Sequence, residues 1–113
     1  MQQLYYADVY RHLANNLKQI QQQHQIEHLT IYEKNIENEI LHLGYEIKHK
    51  QTTFRIYLRY LKLEQQSLLP FTPVWTCEKI EDNHLTKRGY DSFLEALLSI
   101  NKQTYSPDEK QSS

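Results

Sequence analysis

The first forty residues follow a helical pattern of apolar positions, with no glycine or proline between Leu4 and Leu43. In their first half, apolar side chains recur every three or four residues, at Tyr6, Val9, Leu13, Leu17 and Ile20. This spacing is the helical period, so the pattern predicts a first helix over about residues 4–25. The other face of this helix is rich in glutamine, an uncharged residue that favours helix formation.

A second helix is predicted over about residues 31–43. Thr30 and Glu33 have the spacing of a capping box, in which each side chain accepts a hydrogen bond from the other residue's backbone amide. Apolar residues then continue at helical spacing, at Tyr32, Ile36, Ile40 and Leu43. Gly44 stands where a left-handed glycine commonly ends a helix. We therefore expect the two helices to form an N-terminal hairpin.

The stretch from Tyr45 to Leu63 fits two patterns. Phe54, Ile56, Leu58 and Tyr60 alternate with more polar positions as in a half-buried strand, but a helix also accommodates the apolar residues of this stretch. Residue types that favour strands dominate here, so we prefer a β-hairpin. The pattern alone does not decide between strand and helix for residues 53–64.

The second half of the chain predicts short strands. Pro70 and Pro73 prevent a helix between them and indicate a rigid extended connection. Residues 74–80 and 85–90 then fit two strands joined by a polar turn.

A C-terminal helix of about ten residues begins at a second capping box, formed by Ser92 and Glu95. The polar tail over residues 104–113 has nothing to bury and is expected to be mobile. The sequence therefore predicts one α+β domain over residues 1–103. In it, the N-terminal helical hairpin and the C-terminal helix pack on a small antiparallel sheet of three or four strands. An all-α four-helix bundle is the alternative.

The predicted order helix, strand, strand, strand, helix over residues 31–101 is similar to that of double-stranded-RNA-binding domains, HicA-type RNase toxins and small phage-encoded sandwich proteins. The RNA-binding domains open their last helix with a basic run, whereas residues 91–93 here are Asp, Ser and Phe. The toxins carry a glycine-serine-histidine motif where residues 52–54 are Thr, Thr and Phe. The resemblance concerns element order alone and implies no activity.

Composition excludes several classes of protein. The 113 residues include only two glycines, so the glycine-rich loops of nucleotide-binding folds cannot be drawn. No apolar run is long enough for a signal peptide or a membrane span. Cys77 is the only cysteine, as expected in a reducing compartment. We expect a cytoplasmic protein with no membrane segment and no cofactor.

The net charge of −1 hides a local asymmetry. Residues 27–44 contain four glutamates and one lysine, whereas residues 45–63 contain five basic residues and one glutamate. In a hairpin, alternate side chains share a sheet face. The predicted binding residues on that face are Lys48, Lys50, Arg55, Tyr57 and Arg59. Arginines beside an aromatic ring can contact phosphates and stack on bases, but they can equally be solvated positions that keep an exposed strand soluble.

Other candidate chemistry is incomplete. His24 and His28 have the i, i+4 spacing of a helical metal-binding pair but lack a defined third ligand, so no metal site is predicted. Cys77 has no basic neighbour in sequence that would lower its pKa, which makes it a small apolar filler and not a nucleophile. No catalytic residue stands out, and a small nuclease using His49 with Arg55 is the weakest alternative.

The sequence thus favours a small non-catalytic accessory or regulatory protein, of a kind encoded by phages and mobile elements. It would bind another protein with an acidic surface through the basic face. Binding of RNA or single-stranded DNA through the same face is the alternative. The apolar face of the first helix also supports a homodimer.

Overall fold

The computed structural model describes residues 3–71, 74–81 and 84–100. Within them the chain forms one antiparallel sheet of seven strands. The strands are β1 (Leu4–Tyr5), β2 (His28–Ile36), β3 (Ile40–His49), β4 (Thr52–Lys62), β5 (Ser67–Pro70), β6 (Trp75–Glu81) and β7 (His84–Tyr90). The helical segments are α1 (Tyr6–Gln23), a 3₁₀ turn (Glu64–Gln66) and α2 (residues 93–100).

Strand β4 is the centre of the sheet. It pairs with β3 along almost its whole length, so its other neighbours lie on its second side. There, residues 53–57 pair with β6 and residues 60–62 pair with β5. The path continues from β6 to β7, from β5 to β1, and from β3 to the edge strand β2.

Both helices pack on one face of this sheet. The Tyr45 hydroxyl donates a hydrogen bond of 2.7 Å to the Leu13 carbonyl of α1. Phe93 of α2 lies against the rings of Tyr45 and Trp75, with centroids 5.2 and 5.5 Å away. The core consists of alternate strand residues and the inner faces of the helices, including Leu13, Leu41, Leu43, Tyr45, Ile47, Phe54, Ile56, Tyr60, Ala96, Leu97 and Ile100.

We call the opposite side of the sheet the open face. Cross-strand register places there Tyr32, His42, Glu46, Arg55, Tyr57, Arg59 and Glu78. Neither helix packs on this side within the described residues, because the buried residues of α1 and α2 all join the core on the other face.

The predicted second helix is wrong, and with it the N-terminal helical hairpin. Residues 31–43 belong to β2 and β3, which are joined by a three-residue turn between Ile36 and Ile40. Glu37 and Asn38 of this turn have positive φ angles of 57° and 108°. Strands form here because alternate residues from 41 to 47 are buried beneath the helices, and the free energy gained by this burial outweighs the local helical spacing.

The sheet also has more strands than the three or four predicted. Residues 4–5, expected in the first helix, form β1, and residues 68–70 of the expected connection over residues 68–73 belong to β5. The alternative four-helix bundle is wrong too, because residues 52–62 form the long central strand β4. The chain turns from β3 into β4 at Lys50 and Gln51, which have positive φ angles of 49° and 68°.

Several predicted elements are confirmed. Helix α1, the β3–β4 hairpin and the β6–β7 pair lie close to their expected positions. Helix α2 begins after Ser92, whose Oγ accepts a hydrogen bond of 3.1 Å from the Glu95 backbone amide. The end of the domain at residue 103 and the tail over residues 104–113 lie outside the described residues. No helix in the described part of the chain combines the length and apolarity needed to cross a membrane.

Candidate functional site

The structure brings together three of the five predicted binding residues. Arg55, Tyr57 and Arg59 lie on the open face because they alternate along β4. Lys48 shares this face but stands opposite Thr53, six residues from Arg59, a distance of about 20 Å along the strand. Lys50 lies in the turn after β3. The predicted five therefore do not form one compact patch.

Tyr57 is the buried centre of the open face, with only 1% of its surface exposed. The His42 ring stacks on it at a centroid distance of 4.4 Å and an interplanar angle of 16°. Tyr32 packs against it at 5.4 Å. Burial and the nearby Glu78 carboxylate raise the pKa of Tyr57, so its hydroxyl stays protonated. Its enclosed ring offers no free surface for stacking on a base.

Arg55 is held within the open face. Its Nε donates a hydrogen bond of 3.0 Å to Glu46 Oε1, and its guanidinium carbon lies 4.7 Å from the centroid of the Tyr32 ring. Burial acts to lower the pKa of Arg55, but the hydrogen bond to Glu46 and the nearby Glu78 charge raise it overall. The face therefore already supplies negative charge to Arg55.

Arg59 is held differently. Its guanidinium carbon lies 5.0 Å from the centroid of the Phe71 ring, a cation–π arrangement. Its Nε is enclosed and meets no hydrogen-bond partner among the described residues. Phe71 itself is 48% exposed. Arg59 thus presents a positive group at the rim of the face, beside an exposed aromatic ring.

Comparison with known protein families gives a match that covers the residues of the open face. A family model matches residues 3–100, which include the whole open face. The chain belongs to the DUF5634 family. DUF5634 is a family of unknown function, so membership assigns no activity, ligand or partner. A comparison with curated proteins gives no match.

The histidines considered for chemistry lie apart in this DUF5634 structure. His49 and Arg55 leave opposite faces of the sheet, because their cross-strand partners Thr52 and Glu46 belong to opposite faces. His24 caps the end of α1, whereas His28 starts β2, so the two do not share a helix face. No three potential metal ligands cluster within residues 3–71, 74–81 and 84–100.

Cys77 and the apolar face of α1 are both part of the core. Cys77 is 3% exposed, and burial together with the Glu78 charge raises the pKa of its thiol to about 11. Val9, Leu17 and Ile20 of α1 pack against the core of the same chain. The surface proposed for a homodimer is thus used internally, and dimer formation stays a prediction.

Sequence reasoning missed four residues that shape the open face of this DUF5634 chain: Tyr32, His42, Glu46 and Glu78. Tyr32 and His42 fall within the predicted second helix, which is wrong. Glu46 could have been found, since a hairpin with a two-residue turn places it opposite Arg55. Glu78 reaches the face through the pairing of β6 with β4, which local patterns do not reveal.

Proposed function

We propose that the protein is a non-catalytic, cytoplasmic binding module that takes a carboxylate of a protein partner at Arg59. The observation that carries this proposal is the state of Arg59, positioned over Phe71 with its Nε unpaired among the described residues. An enclosed donor without an acceptor is costly, and a partner's carboxylate could satisfy it after a small shift of the exposed Phe71 ring.

The chemistry of the pair suits protein recognition. A planar guanidinium binds a carboxylate through two parallel hydrogen bonds. Its position over a ring already restricts its orientation, so less conformational entropy is lost on binding. Arginine and aromatic residues are also enriched among the residues that dominate protein interfaces. Arg59 and Phe71 would form the centre of the contact.

The mixed charge of the open face favours a protein over a nucleic acid. Among the described residues, Glu46 and Glu78 lie on the same face as Arg55 and Arg59, so acidic groups stand beside the arginines that a phosphate backbone would contact. The ring of Tyr57 is buried and cannot stack on a base. A protein surface with its own mixed charges matches this arrangement better.

The cytoplasmic location rests on the cysteine content. Cys77 is the only cysteine in the sequence and is buried, so the chain can form no internal disulfide.

The proposal is tested by comparing partners recovered by the wild type, by Arg59→Met and by Lys18→Met. Methionine keeps packing area against Phe71 but removes the charge, and Lys18 is an exposed cation on α1. We expect at least one protein whose recovery falls with Arg59→Met alone. Its affinity, measured with purified components, should fall about 10-fold or more, the size of a lost charged hydrogen bond.

Equal recovery of every bound protein by the two variants would overturn the proposal, provided that circular dichroism shows both to be folded. Fluorescence anisotropy with RNA and single-stranded DNA at low salt tests the alternative. Tight binding that weakens steeply with salt and requires Arg59 would replace the protein partner with a nucleic acid.

A further inference from the structure

A groove of about 370 Å³ lies on the helix-bearing side of the sheet, where α1 begins. Its floor is apolar, since Leu41 and Leu68 are 3% and 2% exposed. Its residues come from α1, four strands of the sheet and the segment around the 3₁₀ turn: Tyr6, Glu33, Asn35, Leu41, Lys62, Leu63, Gln66, Ser67 and Leu68. The volume is at the lower end of the range for small-molecule sites.

The groove contains both a carboxylate and an ammonium group, and each is held by a neutral neighbour. The Tyr6 hydroxyl donates a hydrogen bond of 2.5 Å to Glu33 Oε1. Lys62 Nζ donates one of 2.8 Å to Asn35 Oδ1. These two bonds use one carboxylate oxygen and one ammonium hydrogen. They leave the second oxygen of Glu33 and two hydrogens of Lys62 for further bonds.

The positions of these two polar groups indicate the kind of ligand that suits the groove. Glu33 and Asn35 are two residues apart on one strand face, with about 6.6 Å between their Cα atoms. Asn35 holds the Lys62 ammonium group, so the carboxylate and the ammonium are held at neighbouring positions of one wall. A ligand that bonds to both needs a cation and an anion close together, as in a free α-amino acid.

We propose that this groove binds a free α-amino acid with an apolar side chain. Its ammonium group bonds to Glu33, its carboxylate bonds to Lys62, and its side chain packs on Leu41 and Leu68. The apolar floor makes a polar side chain unfavourable, because it would lose water without gaining partners there. The site is on the opposite side of the sheet from Arg59, so it is independent of the proposed protein contact.

The backbone beside the groove makes a tight turn. Gln65 and Gln66 have φ angles of 59° and 62°, a left-handed conformation that is unfavourable for residues with side chains. Here the strained turn positions Gln66 and Ser67 along one wall.

The test uses L-leucine, its methyl ester and N-acetyl-leucine as probes, with binding measured by calorimetry and by thermal shift. We expect saturable binding of L-leucine and a rise in melting temperature. The ester lacks the carboxylate and the acetyl derivative lacks the ammonium group. Each should therefore bind at least about 10-fold more weakly than L-leucine. Leucinol, which also lacks the carboxylate, should behave like the ester.

Two variants test the residues. Glu33→Gln keeps an acceptor for Tyr6 but removes the charge, and Lys62→Met removes the ammonium group. Each should weaken L-leucine binding about 10-fold, whereas Glu27→Gln, at an exposed position outside the groove, should not.

Absence of saturable binding by leucine, valine, isoleucine and phenylalanine up to about 10 mM would overturn the proposal. So would equal binding of leucine and its ester, or unchanged binding by both groove variants. Should one variant fail to fold, the other variant and the modified ligands still decide the question.

Discussion

Gly44 and Tyr57 lie directly opposite each other on β3 and β4, and the backbone of β4 passes too close to leave room for a side chain at position 44. A Cβ there would stand 2.5 Å from Tyr57 Cα and would collide with the Ile56 carbonyl oxygen. Because these are backbone atoms, no rotamer change relieves the clash. We expect Gly44→Ala to destabilise the fold by about 2–3 kcal/mol and to lower the melting temperature by about 10 °C.

Gly89→Ala provides the matched control. A Cβ at position 89 would meet only Val74, at 3.6 Å and beyond, which is ordinary van der Waals contact. The unfolding free energy of Gly89→Ala, measured by urea denaturation, should stay within about 0.5 kcal/mol of that of the wild type. Similar losses in both alanine variants would show that the close approach at Gly44 is not the cause.

The same glycine explains why the sequence misled the fold prediction. The local pattern places Gly44 at a helix end, although Leu41, Leu43, Tyr45 and Ile47 alternate on both sides of it as one buried strand. The helical spacing of Tyr32, Ile36 and Ile40 competed with this alternation, and only tertiary burial decides between the two. Strand β5 pairs with β4 across the short connection at residues 63–66, but the neighbourhood of the two prolines predicts only an extended link, and the pairing of β5 with β1 is distant in sequence.

The open face could be predicted only in part, for a similar reason. The shared orientation of Arg55, Tyr57 and Arg59 follows from alternation along one strand and is correct. The burial of Tyr57 depends on register with β2, which is distant in sequence, and the position of Phe71 depends on the β4–β5 pairing. Local patterns therefore indicated which residues share the face but not which of them are exposed.

The N-cap of α2 tests a feature that the sequence predicted correctly. Ser92→Ala removes the hydrogen bond that the Glu95 backbone amide donates to Ser92 Oγ. We expect a loss of about 1 kcal/mol in unfolding free energy. Ser99→Ala is the comparison, because the Ser99 hydroxyl only bonds to the Ala96 carbonyl of its own helix. A larger effect at Ser99 than at Ser92 would contradict the capping role.

Tyr45 should make the protein less stable at alkaline pH. Burial raises its pKa in the folded state to about 12, whereas an unfolded tyrosine loses its proton near pH 10. Between pH 10 and 12 the unfolded state holds fewer protons than the folded state. The stability that the buried, protonated Tyr45 contributes is therefore fully present below pH 10 and is lost as the pH rises towards 12. Tyr57 acts in the same direction.

Urea denaturation at pH 8 and pH 11 measures this effect. Tyr45→Phe should show a smaller loss of stability between the two pH values than the wild type does. At pH 8 the variant should already be about 1 kcal/mol less stable, since it lacks the hydrogen bond to Leu13. Tyr10→Phe, at a residue 39% exposed, is the comparison and should change the stability at pH 8 by less than about 0.5 kcal/mol. An equal pH dependence in the wild type and Tyr45→Phe would rule out this contribution.

The Cys77 thiol should react only when the fold opens. It is 3% exposed, and its raised pKa keeps the thiolate scarce at neutral pH. We expect labelling by a disulfide reagent to be slow in the native protein and to speed up across the urea transition. Rapid labelling without denaturant would show that β6 opens independently of the rest of the sheet.

Arg55 and Glu78 should be coupled energetically. Glu78 is 6% exposed, and Arg55 supplies positive charge to it from the neighbouring strand. Arg55→Met leaves this carboxylate buried without that charge, so we expect a loss of about 1–2 kcal/mol. Glu46→Gln, which removes only the partly exposed partner of Arg55, should cost less than about 1 kcal/mol.

Adding Glu78→Gln to Arg55→Met should recover part of the loss, because the amide needs no counter-charge. A double-mutant cycle by urea denaturation measures the coupling, and a value near zero would mean that Glu78 is neutralised without Arg55.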